Sequence, residues 1–281
     1  MYKARFVSES GTFYFDMDHG VIFDISPIDE IDVDIASSQG FGQIGSTVVS
    51  RSVAGLSRTI KGKVVGNARQ IKKELLRVFT PFSTGRLYFN DRYACECVVQ
   101  KTPAIGAKDS WVAFSLMLYC PSPFWQLASP QSYLLGGYTP AFSFPVRYNS
   151  HVFGIRQENA FVNCLNPGTV RSSFEVIFGT AAGDVTDYGI INIYTGEELK
   201  IRDTLSAGQT VRVYREDGRL RVEKTVDGEK TNIFAALDED STLFWMNAGD
   251  NVIRMTAGEG ADQLTASISF YAEYAGVYDG M

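Results

Sequence analysis

The chain has 281 residues, 45% of them hydrophobic and 21% charged, with a net charge of −6. That length suits about two domains, and the composition excludes a disordered chain. No stretch reaches the roughly 20 apolar residues of a membrane helix, and Met1-Tyr2-Lys3-Ala4-Arg5 lacks the apolar core of a secretion signal. The chain is therefore expected to be made and kept in the cytosol. Residues 1–128 carry 14 Lys and Arg against 12 Asp and Glu, whereas residues 129–281 carry 12 against 20. Neither half shows the basic stripe of a nucleic-acid binder, so no specific nucleic-acid binding is expected.

The first 35 residues read as strands. Phe13, Phe15 and Met17 alternate with smaller or polar residues, Asp18-His19-Gly20 is a turn, and Val21, Phe23 and Ile25 resume the alternation on a return strand. Ile31, Val33 and Ile35 alternate with Asp32 and Asp34, the pattern of a half-buried strand. Gly40-Phe41-Gly42-Gln43-Ile44-Gly45 matches the spacing of a dinucleotide loop. The preceding strand is charged on one face, the residues after it are β-branched, and no acid follows about 20 residues on, so no cofactor site is assigned. Gly40, Phe41, Gly42 and Ile44 instead form a candidate loop for contact with a partner.

Residues 47–65 return to strand. Asn67 and Gln70 then make a capping box, and Ala68, Ile71, Leu75 and Val78 lie at helical spacing, predicting one helix that ends at Thr80-Pro81. Gly85–Phe89 and Tyr93–Val99 predict a hairpin around Asn90-Asp91. Pro103–Asp109 reads as a loop, and Trp111–Cys120 as a long apolar strand. That strand runs into Pro121-Ser122-Pro123-Phe124-Trp125, where two prolines end sheet pairing and two aromatics follow. Pro121, Pro123, Phe124 and Trp125 are the candidate domain elbow. The boundaries predicted are 1–128 and 129–281.

Residues 129–160 have linker-like composition, with Phe142, Phe144 and Val146 a candidate short strand. From Phe161 the pattern is all β. Short strands are expected at Ser173–Phe178, Gly189–Tyr194, Thr210–Tyr214, Arg219–Thr225, Leu243–Met246, Asn251–Thr256 and Thr265–Tyr271. Turns such as Asn166-Pro167-Gly168 and Ala248-Gly249-Asp250 separate them, predicting a β-sandwich of jelly-roll type.

Catalytic chemistry finds little support. His19 sits at a turn tip and His151 in linker-like sequence, a poor supply of bases. The acids Glu197-Glu198, Glu216-Asp217 and Asp238-Glu239-Asp240 fall at turns. No catalytic residue is assigned. Cys95 and Cys97 share one strand face, Cys120 and Cys164 are distant in sequence, and no CxxC is present. Four buried, reduced thiols and no metal site are expected. Trp245 and Tyr271, with Tyr274 and Tyr278 nearby in sequence, are a candidate glycan platform, although Leu243-Phe244-Trp245-Met246 reads first as core.

Taken in order, several segments resemble one family. They are Arg58-Thr59-Ile60-Lys61-Gly62-Lys63-Val64, the helix end Leu75-Leu76-Arg77-Val78-Phe79-Thr80-Pro81, Gly85-Arg86-Leu87-Tyr88 and Cys120-Pro121-Ser122-Pro123-Phe124-Trp125. The second half adds Phe142-Ser143-Phe144-Pro145, Asn166-Pro167-Gly168, Ala248-Gly249-Asp250-Asn251 and Tyr271-Ala272-Glu273-Tyr274-Ala275-Gly276-Val277. Nearly the whole chain resembles the distal tail protein family of long-tailed, siphovirus-type bacteriophages. The resemblance implies a mainly β protein: an N-terminal tail-tube-like β-sandwich with one helix, and an outward-projecting galectin-like or jelly-roll C-terminal β-sandwich.

It also implies a homohexameric ring at the distal end of the virion tail, assembled in the host cytoplasm. That ring joins the tail-tube protein to the tail-tip or baseplate hub protein, and DNA passes through its lumen without specific binding. The elbow would then set the outer sandwich relative to the ring, and the lumen is expected to be weakly charged or acidic, because basic residues would hold phosphate. The alternative reading is a carbohydrate-binding host-adhesion module acting through the C-terminal sandwich.

Overall fold

The computed structural model describes residues 2–108, 111–136, 138–139, 155–156, 161–180, 182–216, 218–242 and 244–277. The chain is mainly β, and one α-helix is present among the described residues. Two compact units result: one comprises the residues up to Ser129 together with those from Glu273 onward, the other Pro130–Ala272. No helix among the described residues is long and apolar enough to cross a membrane.

The first unit runs β1 (Ala4–Ser8), β2 (Gly11–Phe15), β3 (Val21–Ser26), β4 (Asp34–Ser38), β5 (Thr47–Ser52) and β6 (Leu56–Val64), then α1 (Ala68–Val78). It continues with β7 (Thr84–Phe89), β8 (Tyr93–Lys108), β9 (Trp111–Cys120) and β10 (Trp125–Leu127). Its main sheet has the order β2-β1-β7-β8-β9-β6-β3. The turn at Gly20 (φ 74°) does not make a hairpin: β2 pairs β1, and β3 pairs β6 at the far end of the sheet. Burial alternates along the strands because one face meets the core; on β6, Arg58, Ile60 and Val64 point in while Lys61 and Lys63 are exposed.

The helix sits where its caps place it. Asn67 accepts a hydrogen bond from the Gln70 N–H, and Leu75 and Val78 are buried. Phe79, just past the helix, stacks on Phe6 at 4.9 Å and also touches the Phe13 and Phe15 rings. The hairpin between β7 and β8 turns at Asn90 and Asp91, both with positive φ, as a tight hairpin turn demands.

Three expectations need correction here. Pro103–Lys108 is not a loop but part of β8, which tolerates proline through two register shifts, at Val99/Lys101 and Lys101/Ala104. Ile35 alternates as a strand should but is 60% exposed, so neither face of its strand is covered. The C-terminal segment belongs to the first unit: the strand Glu273–Tyr274 pairs with β10, Trp125 opposite Tyr274.

The second unit contains β11 (Gln131–Leu135), β12 (Tyr138–Thr139), β13 (Ile155–Arg156), β14 (Phe161–Asn163), β15 (Phe174–Thr180) and β16 (Val185–Asn192). It continues through β17 (Glu198–Leu205), β18 (Thr210–Glu216), β19 (Arg219–Val226), β20 (Glu229–Asn232), β21 (Val252–Thr256) and β22 (Leu264–Phe270). Antiparallel sheets of order β11-β22-β15-β18-β19-β20 and β14-β21-β16-β17 supply one shared core, including Val176, Phe178, Tyr188, Ile190, Ile253 and Ile268. That is a β-sandwich. Gln131–Leu135, expected to be linker, is a core strand paired to β22, with Leu135 buried. Glu198, expected at a turn, opens β17. Met246 makes only an isolated bridge to Ser172 rather than ending a strand. Phe142, Phe144, Val146, His151 and Tyr278 lie outside the described residues.

Gly189 is required by close approach. A Cβ on Gly189 of β16 would run into the Leu199 carbonyl and come within 2.9 Å of the Lys200 Cα on β17. Gly189→Ala is expected to destabilise the second unit by about 1–3 kcal/mol in urea denaturation. Gly179→Ala, whose nearest neighbour is Thr265 Oγ1 at 3.5 Å, should be near neutral, and equal effects for the two would refute this reading.

Candidate functional site

Among the described residues, one uncovered apolar feature is an arm. Strands β4 and β5 pair antiparallel, from Asp34 opposite Ser52 to Ser38 opposite Thr47, and every residue of both strands is exposed. They form a sheet of their own, separate from the main sheet. The connecting loop is shaped locally. Gly40 N–H donates to Gln43 Oε1 at 2.9 Å, Gln39 Nε2 donates to the Gln43 carbonyl at 3.0 Å, and Gln43 Nε2 donates to Thr47 Oγ1 at 3.0 Å. Gly42 and Gly45 take positive φ, which a side chain would strain.

At the tip, Phe41 and Ile44 are fully exposed, at 112% and 102%. Val33, Ile35, Val48, Val49 and Val53 extend the apolar surface along the arm. A two-stranded hairpin is marginal in water without something to cover it, and exposed apolar surface of this kind marks a contact site. The structure thus brings Gly40, Phe41, Gly42 and Ile44 together at one projecting tip.

A groove of about 640 Å³ lies on the outer face of the main sheet. Ile22 and Asp24 of β3, Lys61 and Lys63 of β6, and Ala113 and Ser115 of β9 line it, with Ala104 and Gly106 of β8. On the core face, Gly62 leaves room for the buried Phe114 ring, which a Cβ there would meet. Sequence reasoning missed this groove. Its signal is a row of small and apolar residues at alternate positions on strands that become neighbours only after folding.

The residues named as an elbow all fall inside the first unit. Trp125 is fully buried, its Nε1–H donates to the Ile28 carbonyl at 2.9 Å, and the Arg58 guanidinium lies 4.3 Å from its ring centroid. Arg58, also fully buried, donates to the Pro27 carbonyl (2.7 Å), the Ile28 carbonyl (3.2 Å) and the Pro123 carbonyl (2.7 Å). A guanidinium fork can satisfy several carbonyls at fixed angles, which a lysine cannot. Pro121 is exposed and Phe124 half-buried. The segment anchors the exit of β9 to the loop after β3.

Folding also gathers thiols that are far apart in sequence. Cys97 Sγ lies 3.2 Å from Cys120 Sγ and 3.5 Å from Cys95 Sγ, and Cys95 and Cys120 are 3.8 Å apart; all are buried. Hydrogen bonds from the Cys95 and Cys97 thiols, then the charge of Arg58, hold the Cys120 thiol far below its usual range. Burial pushes Cys95 up, and hydrogen bonding to Cys120 pushes Cys97 up. Cys164 belongs to the core of the second unit, where burial raises its thiol to about 12.

The remaining candidates are structural in their surroundings. Trp245 is half-buried, and Arg215 and Arg171 lie over its ring at 4.4 and 5.0 Å from the centroid, so cations already occupy the surface a sugar would stack on. Tyr271 follows β22 and is 37% exposed. Tyr274 is buried in the first unit against Tyr93. The Asn166 and Gly249 turns meet through reciprocal backbone hydrogen bonds of 2.9 Å, and Asn251 Nδ2 donates to the Cys164, Asn247 and Gly249 carbonyls. His19 stacks on Tyr14 at 4.3 Å and contacts Asp16.

No family model matches the chain, and no curated protein matches it in sequence. Among solved structures, the crystal structure of the Dit protein of phage SPP1 is similar at TM-score 0.64 with 12% identity, covering 97% of this chain and 99% of that one. That protein is described as a paradigm of the hub adsorption apparatus in phages infecting Gram-positive bacteria. Looser alignments, at TM-score 0.49, reach the phage P2 baseplate in its activated conformation, with calcium (10% identity, 98% of this chain, 99% of that one) and with strontium (9%, 99% and 100%). The resemblance to distal tail proteins is thus borne out as a shared fold over almost the whole chain.

Proposed function

We propose that this chain is a structural component of a phage tail, a hub that forms a homohexameric ring between the tail-tube protein and the tail-tip or baseplate protein. The observation that carries this reading is an uncovered apolar arm on a fold shared end to end with a phage hub protein. In the ring, the Phe41–Ile44 tip of one copy lies against the apolar groove around Ile22 and Ala113 of a neighbouring copy. Such a contact is heterologous and closes into a ring when the rotation fits. DNA passes through the lumen, and the second unit faces outward for docking. The hub reading needs no catalytic group. With guanidiniums over Trp245, sugar binding by the second unit is the weaker reading.

Size-exclusion chromatography with light scattering, followed by negative-stain imaging, tests the proposal. A six-fold ring is expected from the wild-type chain. The double variant Phe41→Ser with Ile44→Ser should run as a monomer that still unfolds cooperatively, since exposed substitutions alter a monomer's own stability by only about 0.5 kcal/mol. Its melting temperature should no longer rise with protein concentration. A wild-type chain that stays monomeric at all concentrations, or a double variant that still forms rings through this contact, would overturn it.

A further inference from the structure

We propose that Cys95, Cys97 and Cys120 form a trithiolate site for a divalent thiophilic ion of the zinc–cadmium class, with Arg58 balancing its charge. The three sulfurs lie 3.2, 3.5 and 3.8 Å from one another, all three side chains are buried, and no two of them are joined by a disulfide. A circle through three points so spaced has a radius of about 2.0 Å, and a zinc–thiolate bond is about 2.3 Å. An ion about 1 Å out of the sulfur plane therefore reaches all three atoms. The sulfurs then form three corners of a tetrahedron.

Charge selects the class of ion. Arg58 is fully buried, its guanidinium is held by three backbone carbonyls and the Trp125 ring, and its Nε has no hydrogen-bond partner. A buried cation needs a counter-charge, which the neighbouring thiols supply on ionisation. Three thiolates and a divalent ion carry one net negative charge, which Arg58 cancels. A monovalent ion would leave the group negative, and a trivalent ion would leave it positive. Each thiol that still carries a proton releases it to solvent on coordination, as thiolate ligation requires. The ion would tie β8, which carries Cys95 and Cys97, to the last residue of β9 beside the Pro121–Trp125 anchor.

The test uses the full chain, reduced and metal-free, titrated with cadmium both after folding and during refolding. One cadmium per chain is expected, with a sulfur-to-cadmium charge-transfer band, a cadmium NMR shift in the trithiolate range and a rise in melting temperature. Cys164→Ser should leave all of these unchanged, whereas Cys97→Ser should abolish the trithiolate signal. No bound cadmium, a shift reporting fewer sulfurs, or a trithiolate signal that survives Cys97→Ser would overturn the proposal. The wild-type spectra decide the matter even if a serine variant fails to fold. Isolation of a Cys97–Cys120 disulfide as the stable form under non-reducing purification would also count against it.

Discussion

Trp125→Ala is expected to lower the stability of the first unit by about 3–5 kcal/mol, the range for truncating a large aromatic in a close-packed core. The indole is fully buried and touches Phe89 at a centroid separation of 6.0 Å, so its loss leaves a cavity beside the sheet. It also removes the indole N–H, one of two donors to the Ile28 carbonyl, and uncovers Arg58. Trp125→Phe keeps most of the apolar bulk and removes one hydrogen bond, so about 1 kcal/mol is expected. Chemical denaturation with separate probes of the two units checks this. Because Trp125 packs within the first unit, that unit's transition should move and the other's should stay. Faster cleavage near Pro130 with both transitions unmoved would restore the elbow as the whole role of this tryptophan.

Arg58→Met is the second large effect. Methionine fills similar space but donates nothing, leaving the Pro27, Ile28 and Pro123 carbonyls without the donor that now joins them. Exchanging a buried ion pair for apolar residues is often harmless, because both charges leave together. Here the acceptors are backbone and stay behind, so about 3–5 kcal/mol is expected from losing charged hydrogen bonds of about 1.5–3 kcal/mol each with partial relaxation. Arg58→Lys keeps the charge but offers one compact ammonium to carbonyls spread around a planar fork, and an intermediate loss follows. A denaturation midpoint for Arg58→Met equal to that of the wild type would show that the carbonyls find water instead.

These two residues show what was readable and what was not. The Pro121–Trp125 segment stands out in sequence, since prolines end a strand and aromatics demand burial. Where those aromatics go was not readable, because Ile28 and Arg58 are 97 and 67 positions away from Trp125. Arg58 itself looked like any alternating charged residue of a strand; only its register, facing inward between Ile60 and the anchor, makes it a buried clamp. The thiols repeat the lesson. Cys95 and Cys97 announce a shared face, and Cys120 joins them only because β9 pairs with β8 in that register.

Local physics let the sequence determine the helix with its Asn67 cap, the Asn90-Asp91 hairpin, the mainly β character and the exposed glycine loop, since each rests on residues within a turn or a strand of one another. Tertiary structure alone decided that β3 crosses to β6, that Gln131–Leu135 is core, that the terminal strand returns to β10, and that Ile35 and its neighbours remain uncovered. Alternation states that a strand has an apolar side. It does not state which strand, or whether another copy of the chain, will cover it.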